Sequence, residues 1–274
     1  MPVVDSHCHL DLNLDGVEEL TVEAALREAK AVGIDRIVQI GCELESARWS
    51  VRAAREHADV WAGVALHPNE APRLYAEGGR AAFEAAFDEI AELAADPVVR
   101  AVGETGLDFF RTTGDSAGGE GLAIQEESFR RHIALAKAVG KPLVIHDRDA
   151  HDDVLRVLRE EGAPEVVVFH CFSGDAAMAR VCADAGYYLS FAGTVTFKNA
   201  HALREAAAAV PADRLLVETD APYLTPTPYR GRPNASYLIP LTMRVLAETR
   251  GEDLATLCST VATTSHHLFA PTPT

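Results

Sequence analysis

The sequence has no long apolar run and no basic segment followed by an apolar one at its start. A membrane-spanning helix needs about 20 consecutive apolar residues, and a secretory signal needs both of those parts. Cysteine is scarce too: there are five, an odd number, and they are widely scattered, which does not suit a disulfide framework. We therefore expect a cytoplasmic protein with no membrane partner.

Positive charge is also in short supply. The chain has 25 lysine and arginine residues against 41 aspartate and glutamate residues, which gives a net charge of −16. That balance opposes strong, sequence-independent attraction to a polyanion. If the chain acts on a nucleic acid, we expect the contact to be local and assisted by metal ions.

What the sequence has is a regular alternation of apolar runs and alanine-rich segments. Because 48 % of the 274 residues are hydrophobic, the chain can bury a large core, and we expect one domain over residues 1–274. Short β-branched runs predict eight strands near residues 2–6, 36–41, 60–66, 98–104, 142–146, 165–170, 187–192 and 215–219. Segments with helical spacing separate them, so the predicted fold class is α/β, a (β/α)8 TIM barrel.

Two histidines near the start of the chain stand at the end of the first of these strands. Side chains on a strand alternate between its faces, so His7 and His9 point the same way, about 7 Å apart. Two imidazoles on one side can share a divalent ion. Histidines at a strand end are also often merely solvated, and this pair alone does not decide between the two interpretations.

Four more ligand-type side chains stand where later apolar runs stop. They are Glu104, His146, His170 and Asp220. In a TIM barrel the carboxyl ends of all strands surround one mouth, so these side chains and the histidine pair are predicted to meet there. A purely structural explanation would need several unrelated reasons for this placement. The pattern therefore predicts a metal site built from five strands.

Several motifs in fixed order make the match to a known family specific. They are Asp5-Ser-His-Cys-His-Leu-Asp11, Ala65-Leu-His-Pro68, Gly103-Glu-Thr-Gly-Leu-Asp108, Ile145-His-Asp-Arg-Asp-Ala150, His170-Cys-Phe-Ser-Gly174 and Glu218-Thr-Asp-Ala-Pro-Tyr-Leu-Thr-Pro226. With these motifs nearly the whole chain resembles the TatD family of metal-dependent deoxyribonucleases, within the amidohydrolase-like TIM barrels. One departure is His132, which stands where many relatives carry glutamine.

The resemblance implies two divalent metal ions, for which Mg, Mn and Zn all suit the ligand types. His7, His9, Glu104 and Asp220 would bind one ion, and Glu104, His146 and His170 the other, with Glu104 bridging. Asp220 and Glu104 would be the catalytic carboxylates, and Asp220 would orient or deprotonate the attacking water. The implied substrate is DNA, single-stranded or at frayed ends, cleaved from 3′ to 5′.

Six further residues at the predicted mouth are candidate substrate contacts: His67, Arg148, Lys198, Tyr223, Arg230 and Asn234. For His67 a substrate contact is favoured over a passive loop position. For Arg148, a phosphate contact and a salt bridge to Asp147, Asp149 or Asp152 have equal weight. Tyr223 would stack a base or wall the pocket, and Asn234 would contact substrate or close a loop.

Two other functions remain open at this point. The same barrel could hydrolyse a small phosphoester, lactone, amide or aminoacyl ester, because fold does not determine chemistry. The acidic charge favours that reading, whereas the basic groups Arg148, Lys198 and Arg230 oppose it. A metal-binding interaction protein without turnover is the third reading, disfavoured by the intact ligand set. We expect a monomer as the default.

Overall fold

The computed structural model describes residues 2–12, 20–112 and 118–270. Eight strands form one sheet in which each is hydrogen-bonded to its neighbours in the order β1 to β8, and the pairings described are parallel. The strands are β1 (Val3–Cys8), β2 (Ile34–Gly41), β3 (Val60–Val64), β4 (Val99–Asp108), β5 (Leu143–Arg148), β6 (Val167–Phe169), β7 (Tyr188–Phe191) and β8 (Leu215–Val217).

Helices separate the strands along the chain. They are α1 (Val22–Ala31), α2 (Leu44–Glu56), α3 (Glu70–Ala95), α4 (Phe109–Thr112), α5 (Gly118–Val139), α6 (His151–Glu161), α7 (Ala176–Asp184), α8 (His201–Ala209), α9 (Ile239–Arg250) and α10 (Leu254–Phe269). Within the described residues, no helix combines the length and the apolar character that crossing a membrane would require.

The eight predicted strands and the TIM-barrel class are confirmed. A bridge between Cys8 and Ala221 joins the end of β1 to the segment that follows β8, so the strands form a nearly closed barrel. Some strand bounds differ at site residues: β5 runs past His146 to Arg148, and β6 ends at Phe169, just before His170. Strand β4 does not stop at Glu104 but runs on to Asp108, so Glu104 lies inside the strand. Helices α9 and α10 are additions to the predicted pattern.

By its backbone contacts the chain divides into two compact units. The first contains Met1–Gln39, Ala58–Trp61 and His170–Thr274, and the second contains Ile40–His57 and Ala62–Phe169. Apolar side chains with no exposed surface fill each unit, among them Leu189, Phe191 and Leu216 in the first and Phe83, Phe129 and Leu143 in the second.

Local sequence explains where several helices begin and end. Asp175 caps α7 by accepting hydrogen bonds from the N–H groups of Ala177 and Met178, both at 2.9 Å. Asp253 caps α10 in the same way through Thr256. Gly251 ends α9 in the left-handed conformation that glycine adopts without strain.

Two glycines allow β4 and β5 to approach each other closely. A Cβ atom at Gly106 would lie 2.1 Å from the His146 carbonyl oxygen, and one at Gly103 would lie 2.5 Å from Cβ of Val144. Gly106 also has a φ of +142°, which L side chains rarely adopt. These contacts set the register that brings Glu104 on β4 beside His146 on β5.

Candidate metal centre

In the first unit, two histidines and one carboxylate meet at the end of β1. Nε2 of His9 lies 3.3 Å from Oδ1 of Asp220, and Nε2 of His7 lies 3.8 Å from the same oxygen. The three side chains offer ligand atoms that all lie within 4.8 Å of one another. Three of the four residues predicted for the first ion, His7, His9 and Asp220, therefore form a geometric cluster.

Backbone hydrogen bonds hold Asp220 in an uncommon conformation. Its φ of 55° lies in the left-handed region, which costs a non-glycine residue about 1 kcal/mol or more. The Asp220 N–H donates to the His7 carbonyl at 2.9 Å, and the Asp220 carbonyl accepts from the Tyr223 N–H at 2.9 Å. Strain of this kind persists where neighbouring contacts determine the position of a functional side chain.

The buried carboxylate of Asp5 supports the same turn. It accepts hydrogen bonds from the Thr219 N–H at 2.9 Å, the Thr219 hydroxyl at 2.7 Å and the Ser236 hydroxyl at 2.7 Å. Burial raises the pKa of Asp5 to about 6, and the hydrogen bonds from Thr219 and Ser236 oppose that rise. Asp5 belongs to the first sequence motif, Asp5 to Asp11. Its contact with Thr219, the residue before Asp220, joins distant parts of the chain and could not be predicted from that motif.

A second carboxylate orients His170. The His170 ring stacks on the His7 ring with centroids 3.9 Å apart and planes at 15°. Nδ1 of His170 lies 3.2 Å from Oε1 of Glu218, which also accepts the Cys171 N–H at 2.8 Å. Glu218 has no exposed surface. A carboxylate in this position holds the ring orientation of a ligating histidine and raises its basicity.

The second unit contains another cluster, around Glu104. Nδ1 of His146 lies 2.5 Å from Oε1 of Glu104, and Nε2 of His67 lies 3.5 Å from that oxygen. Glu104, His67 and His146 offer ligand atoms within 4.8 Å of one another. The Cys42 thiol donates to Oε2 of Glu104 at 3.4 Å. Sequence reasoning placed His67 outside the metal ligands, whereas the structure groups it with Glu104 and His146.

A polar network lies behind His146. Oδ2 of Asp108 is 3.4 Å from Nε2 of His146 and accepts from the Asn69 amide at 3.0 Å. Burial acts to raise the pKa of Asp108, but hydrogen bonds to His146, the Arg111 N–H and Asn69 hold it well below its ordinary value. Asp108 is therefore ionised. The motif from Gly103 to Asp108 indicated a family match, but it did not predict the contact between Asp108 and His146.

One member of each cluster has a pKa shifted in the direction that favours metal binding. Burial acts to raise the pKa of Asp220, but its hydrogen bond with His9 and the charges of nearby imidazoles lower it overall. Burial lowers the pKa of His67, although the Glu104 carboxylate acts in the opposite direction. Imidazole nitrogens together with carboxylate oxygens are a donor set that Zn and Mn accept, and the carboxylates alone suit Mg. The residues present therefore fit the implied metal ions.

The other predicted site residues have distinct surroundings. Arg148 stacks on Phe110 with its guanidinium carbon 4.0 Å from the ring centroid, and Arg230 stacks on Phe197 at 4.1 Å. Lys198 is exposed. Of the three aspartates considered as partners for Arg148, Asp147 instead binds His151 at 2.7 Å.

Tyr223 and Asn234 differ in their exposure. Tyr223 is 48 % exposed, whereas Asn234 is buried. The Asn234 amide donates to the carbonyls of Thr219 at 2.8 Å and Tyr223 at 2.7 Å. The structure therefore contains the loop-closing contact considered for Asn234, while a contact with substrate remains a prediction.

Histidine and carboxylate clusters on a barrel of eight parallel strands define a class, the metal-dependent hydrolases with a TIM-barrel fold. Within that class, residues 4–270 match the model of the family described as TatD related DNase. The chain belongs to this family and is a metal-dependent hydrolase.

Relatives and solved structures agree with this assignment. The chain is 47 % identical over 269 residues to a Mycobacterium tuberculosis protein named uncharacterized metal-dependent hydrolase TatD, covering 97 % of this chain and 98 % of the relative. It is 33 % identical over 250 residues to the 3'-5' ssDNA/RNA exonuclease TatD of Escherichia fergusonii. That match covers 88 % of this chain and 90 % of the relative. The crystal structure of the Escherichia coli TatD homolog YJJV superposes with a TM-score of 0.81 at 28 % identity. The match covers 99 % of this chain and 98 % of that structure's chain.

Proposed function

We propose that the protein is a nuclease that hydrolyses phosphodiester bonds of DNA from 3′ to 5′, on single strands or frayed ends. The observation that carries the proposal is the pair of histidine and carboxylate clusters, each with three ligand atoms within reach of one cation. The Escherichia fergusonii relative, whose name specifies 3'-5' ssDNA/RNA exonuclease, supports this substrate class and polarity.

Two divalent ions, of Mg, Mn or Zn, are part of this proposal. His7, His9 and Asp220 would hold the first, and Glu104 and His146 the second. The family resemblance adds Glu104 to the first set and His170 to the second. When bound, such ions supply an activated water and offset the negative charge that gathers on the phosphoryl oxygens.

The protein's own groups divide the remaining tasks. Asp220 is ionised and held by its backbone, so its carboxylate is positioned to orient the attacking water or accept its proton. Glu218 and Asp5 keep His170 and the turn before Asp220 in place. The predicted contacts with substrate are His67, Arg148, Lys198, Tyr223, Arg230 and Asn234. Of these, the guanidinium groups suit phosphate oxygens.

Cleavage of end-labelled DNA tests the proposal. Wild type and Asp220→Asn are incubated with single-stranded and duplex DNA, with added Mg, Mn or Zn and with chelator. We expect the wild type to shorten single strands from the 3′ end only when metal is present. Asp220→Asn should remain folded but inactive, because an amide cannot accept the proton.

Asp184→Asn provides the matched control, since it makes the same chemical change on an exposed side chain of α7. It should cleave as the wild type does. Asp220→Asn cleaving at the wild-type rate would overturn the role given to that carboxylate, and intact DNA under every metal condition would overturn the nuclease function.

The second candidate is a small-molecule metallohydrolase on the same barrel. The net charge of −16 favours it, because an acidic surface repels long polyanions. Turnover of a small phosphoester or lactone, with DNA left intact, would support this candidate. A cytoplasmic location, a monomeric state and a single domain over residues 1–274 stay predictions.

A further inference from the structure

Phe110 is an unusually exposed aromatic side chain. With 59 % of its surface accessible, it is the most exposed large hydrophobic residue in the part of the chain that the structure describes. One face of its ring is occupied, because the Arg148 guanidinium carbon lies 4.0 Å from the ring centroid. Single exposed apolar residues are common, and Phe110 differs from them in its surroundings.

The pair stands beside the Glu104 cluster. Phe110 is the second residue of α4, which follows β4 directly, and Arg148 is the last residue of β5. Arg148 pairs in register with Asp108, the last residue of β4. It also lies two residues beyond His146, which puts both side chains on the same face of the strand, about 7 Å apart.

The backbone that presents Phe110 is firmly held. The Arg111 N–H donates to Oδ1 of Asp108 at 2.9 Å. The buried Thr112 hydroxyl donates to the Asn69 side chain at 3.2 Å and accepts from the Gln125 amide. Contacts on both sides of Phe110 therefore fix the position from which its ring reaches solvent, and a preorganised side chain loses little entropy on binding.

The charge of Arg148 is not neutralised locally. Across residues 2–12, 20–112 and 118–270, no carboxylate forms an ion pair with Arg148, and Asp147 is engaged by His151. An arginine that stacks on an aromatic ring keeps its outward N–H groups available for an anion. Stacked aromatic and guanidinium groups beside a hydrolytic site match one chemical class of ligand, a base with its phosphate.

We propose that Phe110 and Arg148 form a nucleotide subsite in which a base of single-stranded nucleic acid stacks on the Phe110 ring and Arg148 holds the adjacent phosphate. This proposal rests on the nuclease function proposed above. The base takes the ring face opposite Arg148. Bases in an intact duplex are already stacked on one another, so the subsite favours single strands.

The test compares an intact thymidine oligonucleotide with a set in which one nucleoside at a time is replaced by an abasic sugar phosphate. For the wild type with Mg or Mn, we expect kcat/KM to fall by about tenfold when the missing base is the one that stacks on Phe110. In Phe110→Leu that discrimination should disappear, while cleavage of the same abasic oligonucleotide stays at the wild-type level. Phe110→Trp should restore the discrimination.

This comparison separates stacking from a structural role, because a distorted site would slow cleavage of intact and abasic oligonucleotides equally. Val181→Ala, which truncates another exposed apolar side chain on α7, serves as the control and should discriminate as the wild type does. Discrimination that persists in Phe110→Leu at every position overturns the subsite but leaves the nuclease function standing.

Binding of the same oligonucleotides without metal, followed by fluorescence anisotropy, keeps the two proposals distinguishable. In one outcome the wild type binds the intact oligonucleotide more tightly than the abasic one, Phe110→Leu does not, and neither protein cleaves DNA. That outcome supports the subsite and overturns the nuclease function. A wild type that neither binds nor cleaves single-stranded DNA or RNA overturns both.

Discussion

We predict that His132 makes the stability of this protein sensitive to acid. The side chain is fully buried in α5, where Nε2 accepts the Leu66 N–H at 3.1 Å and Nδ1 donates to the Ser128 carbonyl at 2.8 Å. This arrangement requires a neutral imidazole, because a protonated ring has no acceptor for the Leu66 N–H. Burial lowers the pKa of His132 from 6.5 to about 4, and the nearby charge of Arg131 acts in the same direction.

The sign of the effect follows from where each state binds a proton. The unfolded chain protonates His132 near pH 6.5, whereas the folded protein resists until about pH 4. The free energy of unfolding therefore falls as the pH decreases through that window and recovers as the pH rises. Since one pKa unit corresponds to about 1.4 kcal/mol, the full loss is about 3 kcal/mol, and most of it is reached by about pH 4.5.

His132→Gln tests this reasoning, because a glutamine amide can donate to Ser128 and accept from Leu66 without titrating. Urea unfolding of the chelated protein at about pH 7.5 and about pH 4.5 gives the loss for each variant. We expect the wild type to lose about 2 to 3 kcal/mol more than His132→Gln. His201→Gln, on an exposed side chain at the start of α8, should behave as the wild type does. Equal losses in wild type and His132→Gln would refute the argument.

Three further predictions concern the metal centre. Gly106→Ala should reduce the Tm and the metal content together, because the added Cβ would meet the His146 carbonyl; a normal Tm in thermal unfolding would contradict this. Glu218→Gln should weaken metal binding by about 10-fold or more through the lost orientation of His170, measured by titration calorimetry, with unchanged affinity as the opposing result. Removal of metal by chelator should lower the Tm, because the ions bind the folded ligand clusters, and return of Mn or Zn should restore it; a Tm indifferent to metal would contradict this.

Much of the barrel and of the ligand set could be predicted from the sequence. The periodicity of apolar runs located eight strands, and the position of His7 and His9 at the end of one run predicted that both point to one side. His146 and Asp220 were found because their runs end near the barrel mouth. These are local properties, encoded in the spacing of neighbouring residues, and they survive without knowledge of any distant contact.

Other parts of the site depended on contacts between distant segments. Thr219 forms a hydrogen bond with Asp5, which is 214 positions away in the sequence. His170 forms one with Glu218, which is 48 positions away. His67 was predicted to touch substrate, which stays a prediction, and the structure adds that its ring lies 4.6 Å from that of His146. No spacing rule reports such distances, because they depend on side-chain rotamers and strand register together.

The division between the two kinds of information has a physical cause. The sequence by itself determined which faces of which strands carry ligand-type groups, because alternation along a strand is a property of the local backbone. Only the tertiary structure decided which of those groups lie close enough to share a cation and which carboxylates contact them. It also decided that Phe110 lies exposed against Arg148. Those outcomes depend on packing between elements far apart in the chain, where a shift of one residue in register would exchange one face of a strand for the other.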